Sequence, residues 1–239
     1  MAAAVLAPVA LIFVQCVGTD MNVGVISDLH GNKVALEAVI EDMPAVDRLV
    51  CAGDVVGYNP WHADCVDFVR SESIPTVMGN HDRAVAGSTS FGFNSMAGAG
   101  VQHAREQLTD DQLAWLGALP DSRLVCDGRV KIVHGHPDNP DRYTYPSEFS
   151  PRLLDEEDVL VMGHTHVQAH EIFDEGIVMN PGSVGQPRDS DPRAAYAILD
   201  LDAMTVEERR VTYDIERVQK AVREAGLPGR IASRLEEGR

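Results

Sequence analysis

Lysine, aromatic residues and positive charge in general are scarce in this chain. Only three of its 239 residues are lysine, and 20 Lys and Arg residues stand against 37 Asp and Glu, a formal net charge of −17. A surface this negative repels the phosphates of nucleic acids, which argues against a general DNA- or RNA-binding role. It also suggests a salt-rich cytoplasm, where ions screen the self-repulsion of the protein. An ordinary soluble acidic protein is the alternative.

Paired cysteines are missing as well. The four cysteines form no CxxC motif and no spacing typical of a disulfide framework. Cys51 and Cys126 lie in or beside apolar runs, and we predict that they are small buried residues. This cysteine usage fits a reducing cytoplasm.

The first 20 residues have almost no polar side chains. Such a segment could be a signal peptide or a short membrane segment, but no Lys or Arg precedes it and it falls slightly short of the ~20 apolar residues that a spanning helix needs. We favour a wrongly assigned start, with Met21 as the native one, and a membrane anchor as the alternative. A chain that begins at Met21 should fold and work like the full chain, because residues 22–27 already form a strand of ordinary length. Loss of soluble protein on removal of residues 1–20 would contradict this expectation.

What the chain does have is five short motifs rich in histidine and aspartate, each at the end of an apolar run. Short β-branched runs bounded by glycine are typical of buried strands. Ligand sites in open α/β sheets form beyond the strand ends, so the motifs should converge at one point. Each motif alone is weak, and the interpretation depends on all five occurring together. The motifs are Asp28-Leu29-His30, Gly53-Asp54, Gly79-Asn80-His81-Asp82, His134-Gly135-His136 and Gly163-His164-Thr165-His166.

The donor atoms in these motifs are oxygen and imidazole nitrogen, without a thiolate. They favour two divalent transition-metal ions, with Mn²⁺ foremost and Fe, Ni²⁺, Co²⁺ or Zn²⁺ as alternatives, over a structural zinc site. Asp-x-His and His-x-His should place two ligands on one side of an extended segment, because side chains alternate along a strand. His81 should face elsewhere and protonate a leaving oxygen, with Asp82 orienting it. The predicted metal ligands are Asp28, His30, Asp54, Asn80, His134, His164 and His166.

The apolar patterns predict an α/β fold. The first half alternates, with strands over residues 22–27, 48–52 and 76–78, helices over 32–43, 62–70, 95–107 and 110–119, and a mobile loop over 86–94. The second half is rich in strands, over residues 123–126, 130–133, 159–162, 176–179, 194–199 and 206–213, before helices over 215–225 and 231–237. This order predicts two mixed sheets face to face with helices outside. Three histidines outside the motifs are expected on the surface or on helix faces: His62, His103 and His170.

The order of the motifs resembles that of the calcineurin-like metallophosphoesterases, over roughly residues 21–193. Residues 53–60 (Gly-Asp-Val-Val-Gly-Tyr-Asn-Pro), 180–189 (Asn-Pro-Gly-Ser-Val-Gly-Gln-Pro-Arg-Asp) and the ending around residues 213–228 are similar to the small prokaryotic and archaeal YfcE-like branch. The resemblance implies a four-layer α/β/β/α sandwich over residues 21–239. It also implies a metal-dependent phosphoric ester hydrolase that works through a metal-bridging hydroxide, and the cysteine usage predicts that it is cytoplasmic.

Site roles follow from the resemblance by motif position. It assigns Asp28, His30 and His166 to a first metal, and Asn80, His134 and His164 to a second. Asp54 would bridge the two ions, and His81 would be the general acid or would stabilise the leaving group. The sequence departs from the branch at Asn59, where glycine is common. Asn tolerates the left-handed backbone nearly as well as glycine does.

The expected substrate is a small phosphodiester or phosphomonoester. Arg188 is the candidate phosphate contact, with a surface salt bridge as its alternative, and His136 and Asn59 are further candidates for substrate binding. Besides Arg83, Arg188 is the one obvious arginine near the motifs, which favours diesters, since these need no pair of arginines. The other hypotheses are a catalytically idle scaffold on the same fold, a nucleotide-polyphosphate hydrolase and a phosphoprotein phosphatase. We expect no membrane partner, and the oligomeric state stays open.

Overall fold

A computed structural model describes residues 21–87 and 94–239. The apolar extension over residues 1–20 and most of the loop predicted over 86–94 lie outside these ranges. The strands are β1 Asn22–Ile26, β2 Arg48–Cys51, β3 Ser122–Val125, β4 Val130–Val133, β5 Val159–Val161, β6 Ala169–Phe173, β7 Gly176–Asn180, β8 Ala194–Asp200 and β9 Thr205–Val211. The helices are α1 Lys33–Asp42, α2 His62–Ser71, α3 Asn80–Gly87, α4 Ser95–Gln107, α5 Asp110–Gly117, α6 Ile215–Glu224 and α7 Gly229–Glu237.

The strands form two mixed sheets. In the first sheet the order is β2-β1-β8-β9, with β1 and β2 parallel and the other neighbours antiparallel. In the second sheet the order is β3-β4-β5-β7-β6, with β4, β5 and β7 parallel and both edge strands antiparallel. Parallel strands run in the same direction, so the ends of β1 and β2, and those of β4 and β5, each lie at one edge of their sheet.

The two sheets pack face to face. Val25 and Leu199 of the first sheet lie in one buried cluster with Ile132, Val161 and Met179 of the second. The next residue along β5, Leu160, points to the opposite face of its sheet and is fully buried there as well. Burial of both faces explains why the strands read as continuous apolar runs rather than alternating ones.

A helical layer covers the outer face of the first sheet. Apolar side chains from α1, α2, α3 and α5 join sheet residues such as Tyr196 in a single core. Two caps set where these helices begin: the Asn32 side chain accepts a hydrogen bond from the Ala35 amide before α1, and Thr109 and Gln112 form a capping box at α5. The capping box is confirmed as the sequence predicts it.

The outer face of the second sheet carries a thinner layer. Phe149 and Leu153 pack there against Leu160 and Val178, and they belong to the region of two 3-10 turns, Pro146–Glu148 and Pro151–Leu153. Each turn begins with a proline, which fixes φ and removes a donor. The predicted α/β class with two mixed sheets is confirmed, and the described cover of this face consists of 3-10 turns where we expected α-helix.

Three elements differ from the sequence prediction. Residues 76–78 form no regular strand within the described chain: Thr76 makes one bridge to Cys51, and the Met78 amide donates to the Pro120 carbonyl. Strand β6 was not predicted, because its exposed edge position lets Glu171 and Ile172 both face solvent. Helix α3 stands where the sequence predicts a turn followed by a loop, since Gly79 and Asn80 are typical turn residues. Among the described helices, none combines the length and apolar character needed to cross a membrane.

Candidate metal centre

Four of the five motifs begin one or two residues after the ends of β1, β2, β4 and β5, and the remaining one opens α3. The two sheets bring these strand ends together across their interface. The His30 and His166 Nε2 atoms are 3.1 Å apart, and His134 Nε2 is 3.4 Å from Asp54 Oδ2. The predicted convergence of the motifs is therefore present in the structure.

The motif backbones are left-handed rather than extended. The φ angles are 53° at Asp28, 49° at His30, 53° at Asp54, 67° at His164 and 59° at His166. Alternation along a strand, the reason inferred from sequence for pairing Asp-x-His and His-x-His, is thus wrong. Tight left-handed turns place the side chains together, at a cost of roughly 1–2 kcal/mol for each residue.

Backbone hydrogen bonds hold these strained turns in place. The amide of Asp28 donates to the Gly53 carbonyl at 2.9 Å, and the amide of His30 donates to the Asp54 carbonyl at 3.0 Å. From the 180–189 segment, Gly185 donates its amide to the Asp28 carbonyl at 2.9 Å, and the Ser183 hydroxyl donates to the same carbonyl at 2.8 Å. Residues 180–189, which are similar to the YfcE-like branch, therefore support the turn at Asp28.

The donor atoms form two clusters joined by Asp54. In the first, Asp28 Oδ1 lies 3.2 Å from His166 Nε2 and 3.8 Å from His30 Nε2. In the second, the Asn80 side-chain oxygen lies 3.2 Å from His134 Nε2, and Asp54, His134 and His164 bring donor atoms within 4.8 Å of one another. Asp54 Oδ2 is 3.6 Å from His30 Nε2 and 3.4 Å from His134 Nε2, so it reaches both clusters.

Backbone carbonyls fix which ring nitrogen each histidine turns towards the centre. The Nδ1 atoms of His30, His134 and His166 lie 3.0, 2.8 and 2.5 Å from the carbonyls of residues 56, 52 and 186. A carbonyl only accepts, so Nδ1 carries the proton and Nε2 faces the centre. His164 is reversed: its Nε2 is 3.2 Å from the Asp141 carbonyl, which leaves Nδ1 for the centre. Metal-binding histidines are commonly oriented by such partners.

The first cluster fits a cation. Burial lowers the pKa of His30 well below its ordinary value, and although Asp54 raises it, the His166 ring lowers it further. Burial and the charge of Arg188 likewise lower the pKa of His166. Two neutral rings that donate from Nδ1 therefore aim their Nε2 lone pairs at each other. Asp28 Oδ1, also buried, has no hydrogen-bond partner among the described residues. A divalent cation would satisfy all three atoms.

A proton on His134 stabilises the second cluster. Burial alone would lower the pKa of His134, but the Asp54 carboxylate raises it to about 10. Burial would raise the pKa of Asp54, yet the charges of His134 and His81 hold it well below its ordinary value. The metal-free centre thus carries an imidazolium next to Asp54, at an atom that a metal ion would need.

Metal binding should therefore compete with this proton. Because His134 stays protonated up to a pKa of about 10, each ion bound at that cluster displaces one proton, and affinity should rise about tenfold per pH unit between about pH 6 and about pH 8. Calorimetry in buffers of different ionisation enthalpy counts the released protons. An affinity that does not change over this range would contradict the assignment of the proton to His134.

His81 and Asp82 follow Asn80 into α3. The His81 ring centroid is 4.8 Å from that of His30 and 4.7 Å from that of Tyr58, and a ring nitrogen of His81 lies within 4.8 Å of donor atoms of His30 and Asp54. The ring thus lies beside the ligands. The Asp82 oxygens accept hydrogen bonds from the Val56 and Gly79 amides at 3.2 and 3.0 Å. Asp82 therefore holds the motif backbone, and its orienting of His81 stays a prediction.

A cavity of about 450 Å³ opens over the two clusters. Arg188 lines it and makes no ion pair with a carboxylate of the described residues; its Nη2 donates to the Tyr58 hydroxyl at 3.3 Å and to Gln186 Oε1 at 2.8 Å. Arg83 also lines the cavity, but its guanidinium pairs with Asp121 at 2.7 Å and Asp141 at 2.5 Å. The surface salt bridge considered for Arg188 is thus not formed with any described residue, which leaves its guanidinium available to an anion.

Two further candidates lie away from the cavity lining. His136 Nδ1 accepts a hydrogen bond from the Asp138 amide at 3.1 Å within a turn. The Asn59 side chain donates to the His30 carbonyl at 3.1 Å and so supports a ligand turn. Asn59 stands where glycine is common in the branch. The residue with a left-handed backbone here is Tyr58, with φ 54°, and not Asn59. The tolerance of Asn for a left-handed backbone therefore does not explain why Asn replaces glycine.

Some residues near the site were missed or misplaced by sequence. Tyr143 lines the cavity and stacks on His164 with ring centroids 3.9 Å apart, but no pattern around it sets it apart from an ordinary loop tyrosine. His62 begins α2, in line with the expected helix face, but it is fully buried and not on the surface. Its Nδ1 accepts from the Gly57 amide at 3.3 Å, and its Nε2 is 3.1 Å from His103 Nδ1. A lone histidine outside a motif gives no signal in the sequence that it is buried and hydrogen-bonded in this way.

Gly79 allows Asp54 to approach the third motif. A Cβ at this position would overlap the Asp54 carboxylate oxygen and its amide nitrogen. Gly79→Ala should therefore displace Asp54 and lower both metal occupancy and the melting temperature. The matched control is Gly98→Ala in α4, where a Cβ would meet no atom within 4 Å and where alanine should stabilise the helix by roughly 0.5–1 kcal/mol. Equal melting curves and equal metal content for the two variants would reject the close packing.

Comparison with known proteins agrees with this geometry. Residues 21–204 match the calcineurin-like phosphoesterase superfamily domain. An uncharacterised protein of Methanocaldococcus jannaschii is 30% identical in an alignment that covers 91% of this chain and 98% of the relative. The Escherichia coli phosphodiesterase YfcE is 27% identical over 184 residues, 75% of this chain and 88% of YfcE. A metallophosphoesterase structure from Sphaerobacter thermophilus superposes with a TM-score of 0.80 at 37% identity, over 92% of this chain and 100% of that one. The chain belongs to the calcineurin-like phosphoesterase superfamily.

Proposed function

We propose that this chain is a dinuclear metal-dependent phosphoesterase that prefers phosphodiesters. The observation that carries the proposal is the position of Asp54, whose Oδ2 lies 3.6 Å from one histidine cluster and 3.4 Å from the other. Asp28, His30 and His166 would hold one ion, Asn80, His134 and His164 the other, and Asp54 would serve both. Bound divalent ions would supply Lewis acidity for activating water and for neutralising phosphate charge.

The residues of the cavity divide the remaining tasks. Arg188, without a carboxylate partner in the described chain, would contact a non-bridging phosphate oxygen and orient the ester. His81, also in the cavity wall, would face the leaving oxygen and donate a proton or a hydrogen bond to it. The Tyr58 hydroxyl would hold Arg188 in place by accepting a hydrogen bond from its guanidinium.

The arginine count supports the preference for diesters. A phosphomonoester dianion is best held by more than one cationic side chain, whereas a diester carries a single negative charge. Because Asp121 and Asp141 occupy Arg83, one arginine of the cavity wall remains for the substrate. The naming of the Escherichia coli relative as a phosphodiesterase points the same way.

Paired chromogenic substrates test this proposal. The protein is stripped of metal, reloaded with Mn²⁺, Co²⁺, Ni²⁺, Zn²⁺ or Fe²⁺, and assayed on bis-p-nitrophenyl phosphate and p-nitrophenyl phosphate. We expect hydrolysis with at least one ion, a higher kcat/KM for the diester, and loss of activity on chelation. Full activity in the metal-free protein would reject the mechanism. No hydrolysis with any ion would instead favour the scaffold hypothesis.

A further inference from the structure

A second cleft, of about 910 Å³, lies between the start of α4 and the face of α7. Arg230, Arg234 and Arg239 line it, and Glu237 is the one acidic residue of its described lining. Asn94 lines both this cleft and the cavity over the metal ligands. The two depressions are therefore neighbours on the surface.

The charge of this cleft is opposite to that of the chain. In a protein with a net charge of −17, carboxylates outnumber arginines, and Arg129 and Arg193, for example, each pair with one. Glu237 lies 3.5 Å from Arg239 and is paired with it. Arg230 and Arg234 form no ion pair with a carboxylate anywhere in residues 21–87 and 94–239. The cleft thus presents two arginines that the protein itself does not neutralise.

Tyr58 connects the cleft to the metal centre. Its hydroxyl accepts a hydrogen bond from Arg188 in the metal-centre cavity. Its ring belongs to the same buried cluster as Ile231 and Leu235 of α7. Each of these two apolar residues directly follows one of the arginines, Arg230 or Arg234, in the sequence. Because α7 packs in the same cluster as Tyr58 and Asn94 lines both depressions, the cleft borders the substrate cavity near Tyr58.

Arg188 and Arg230 both repel Arg234 as long as no anion lies between them. Burial lowers the pKa of Arg234, and the positive charges of Arg188 and Arg230 lower it further. An anion that spans both depressions would relieve this repulsion. Guanidinium groups bind phosphate oxygens through paired, directional hydrogen bonds, so phosphate is the anion that they match best.

We propose that the cleft of Arg230 and Arg234 binds a second phosphate group of the substrate, carried on the same molecule as the ester that is hydrolysed. This inference rests on the proposed function and names its substrate class: an organic phosphodiester with an additional terminal phosphate. Arg188 would hold the reacting phosphate, and the cleft would hold the additional one. Diesters without that group would be turned over with a lower kcat/KM.

Two substrates that differ by one phosphate test the cleft: the p-nitrophenyl ester of thymidine 5′-phosphate, with and without a phosphate at the 3′ position. In the unaltered, metal-loaded protein the 3′-phosphorylated compound should have a kcat/KM about tenfold higher, the effect of roughly 1.4 kcal/mol of additional binding. The ratio should fall towards one in the Arg230→Gln/Arg234→Gln double variant and at high salt, which screens the contact. The matched control, Arg223→Gln, changes an exposed arginine of α6 outside the cleft and should keep the ratio.

The outcomes separate the two proposals. A ratio near one in the unaltered protein, or a preference that persists in the double variant, overturns the second-phosphate site while the phosphoesterase function stands. The exposed position of Arg230 makes the single variant Arg230→Gln a safeguard if the double variant fails to fold, and this variant alone should lower the ratio. If neither compound is hydrolysed, the proposed function fails. Equilibrium dialysis of the intact 3′-phosphorylated compound then decides about the cleft: binding lost in Arg230→Gln supports it, and no binding overturns it.

Discussion

An Asp54→Asn variant should lose more than about 100-fold in kcat/KM, and it should lose more than an Asp28→Asn variant does. Asp54 Oδ2 lies 3.6 Å from His30 Nε2 and 3.4 Å from His134 Nε2, so the neutral amide weakens both clusters. Asp28 contributes to the cluster of His30 and His166. Changes to residues that only support a ligand typically cost 10–100-fold, and a carboxylate shared by two ions should exceed that range.

The comparison needs metal analysis as well as kinetics. Asp54→Asn should lower the occupancy of both ions, and Asp28→Asn mainly that of one. Asp174→Asn, at an exposed turn, controls for the loss of one negative charge and should behave like the unaltered protein. Melting curves identify any variant that is unfolded. A larger loss for Asp28→Asn than for Asp54→Asn would reject Asp54 as the shared ligand.

The candidate ligands could be predicted from the sequence because their residue types and their strand-end positions are both visible there. The atoms that orient them could not be predicted. The carbonyls of Ala52 and Val56 fix the His134 and His30 rings, and a backbone carbonyl has the same chemistry at every residue. The left-handed φ angles at Asp28 and His164 were equally hidden, since the hydrogen bonds that hold these two residues come from segments distant in sequence, Gly53 for Asp28 and Asp28 for His164.

Elements at the edges of the fold were harder to predict than those at its centre. Strand β5 is buried on both faces and reads clearly, whereas β6 exposes Glu171 and Ile172 and lacks the expected alternation. His62 shows the same limit for polar residues. Its burial depends on contact with His103, 41 positions away. The arginine cleft likewise combines α4 with α7, so its charge is visible only after folding.

The role proposed for His81, donation of a proton to the leaving oxygen, depends on the pKa of its ring. Burial lowers its pKa, and although Asp54 raises it, Arg188 lowers it again, so that it stands at about 4. The ring is therefore neutral at pH 7 in the metal-free protein. An arriving phosphate anion in the same cavity would raise this pKa by Coulombic attraction. A proton would then be available next to the leaving oxygen.

If His81 protonates the leaving group, His81→Ala should keep both metals and lose roughly 10²–10⁴-fold in turnover on poor leaving groups. The deficit should shrink for p-nitrophenolate, which leaves without a proton. His164→Ala is the comparison, because it should lose metal, and His103→Ala, outside the cavity lining, should change neither property. Because a ring nitrogen of His81 lies within 4.8 Å of donor atoms of His30 and Asp54, metal loss in His81→Ala would make it a ligand and reject the general acid. An equal deficit on good and poor leaving groups would instead assign His81 to positioning the phosphate, because a residue that holds the ester affects every leaving group alike.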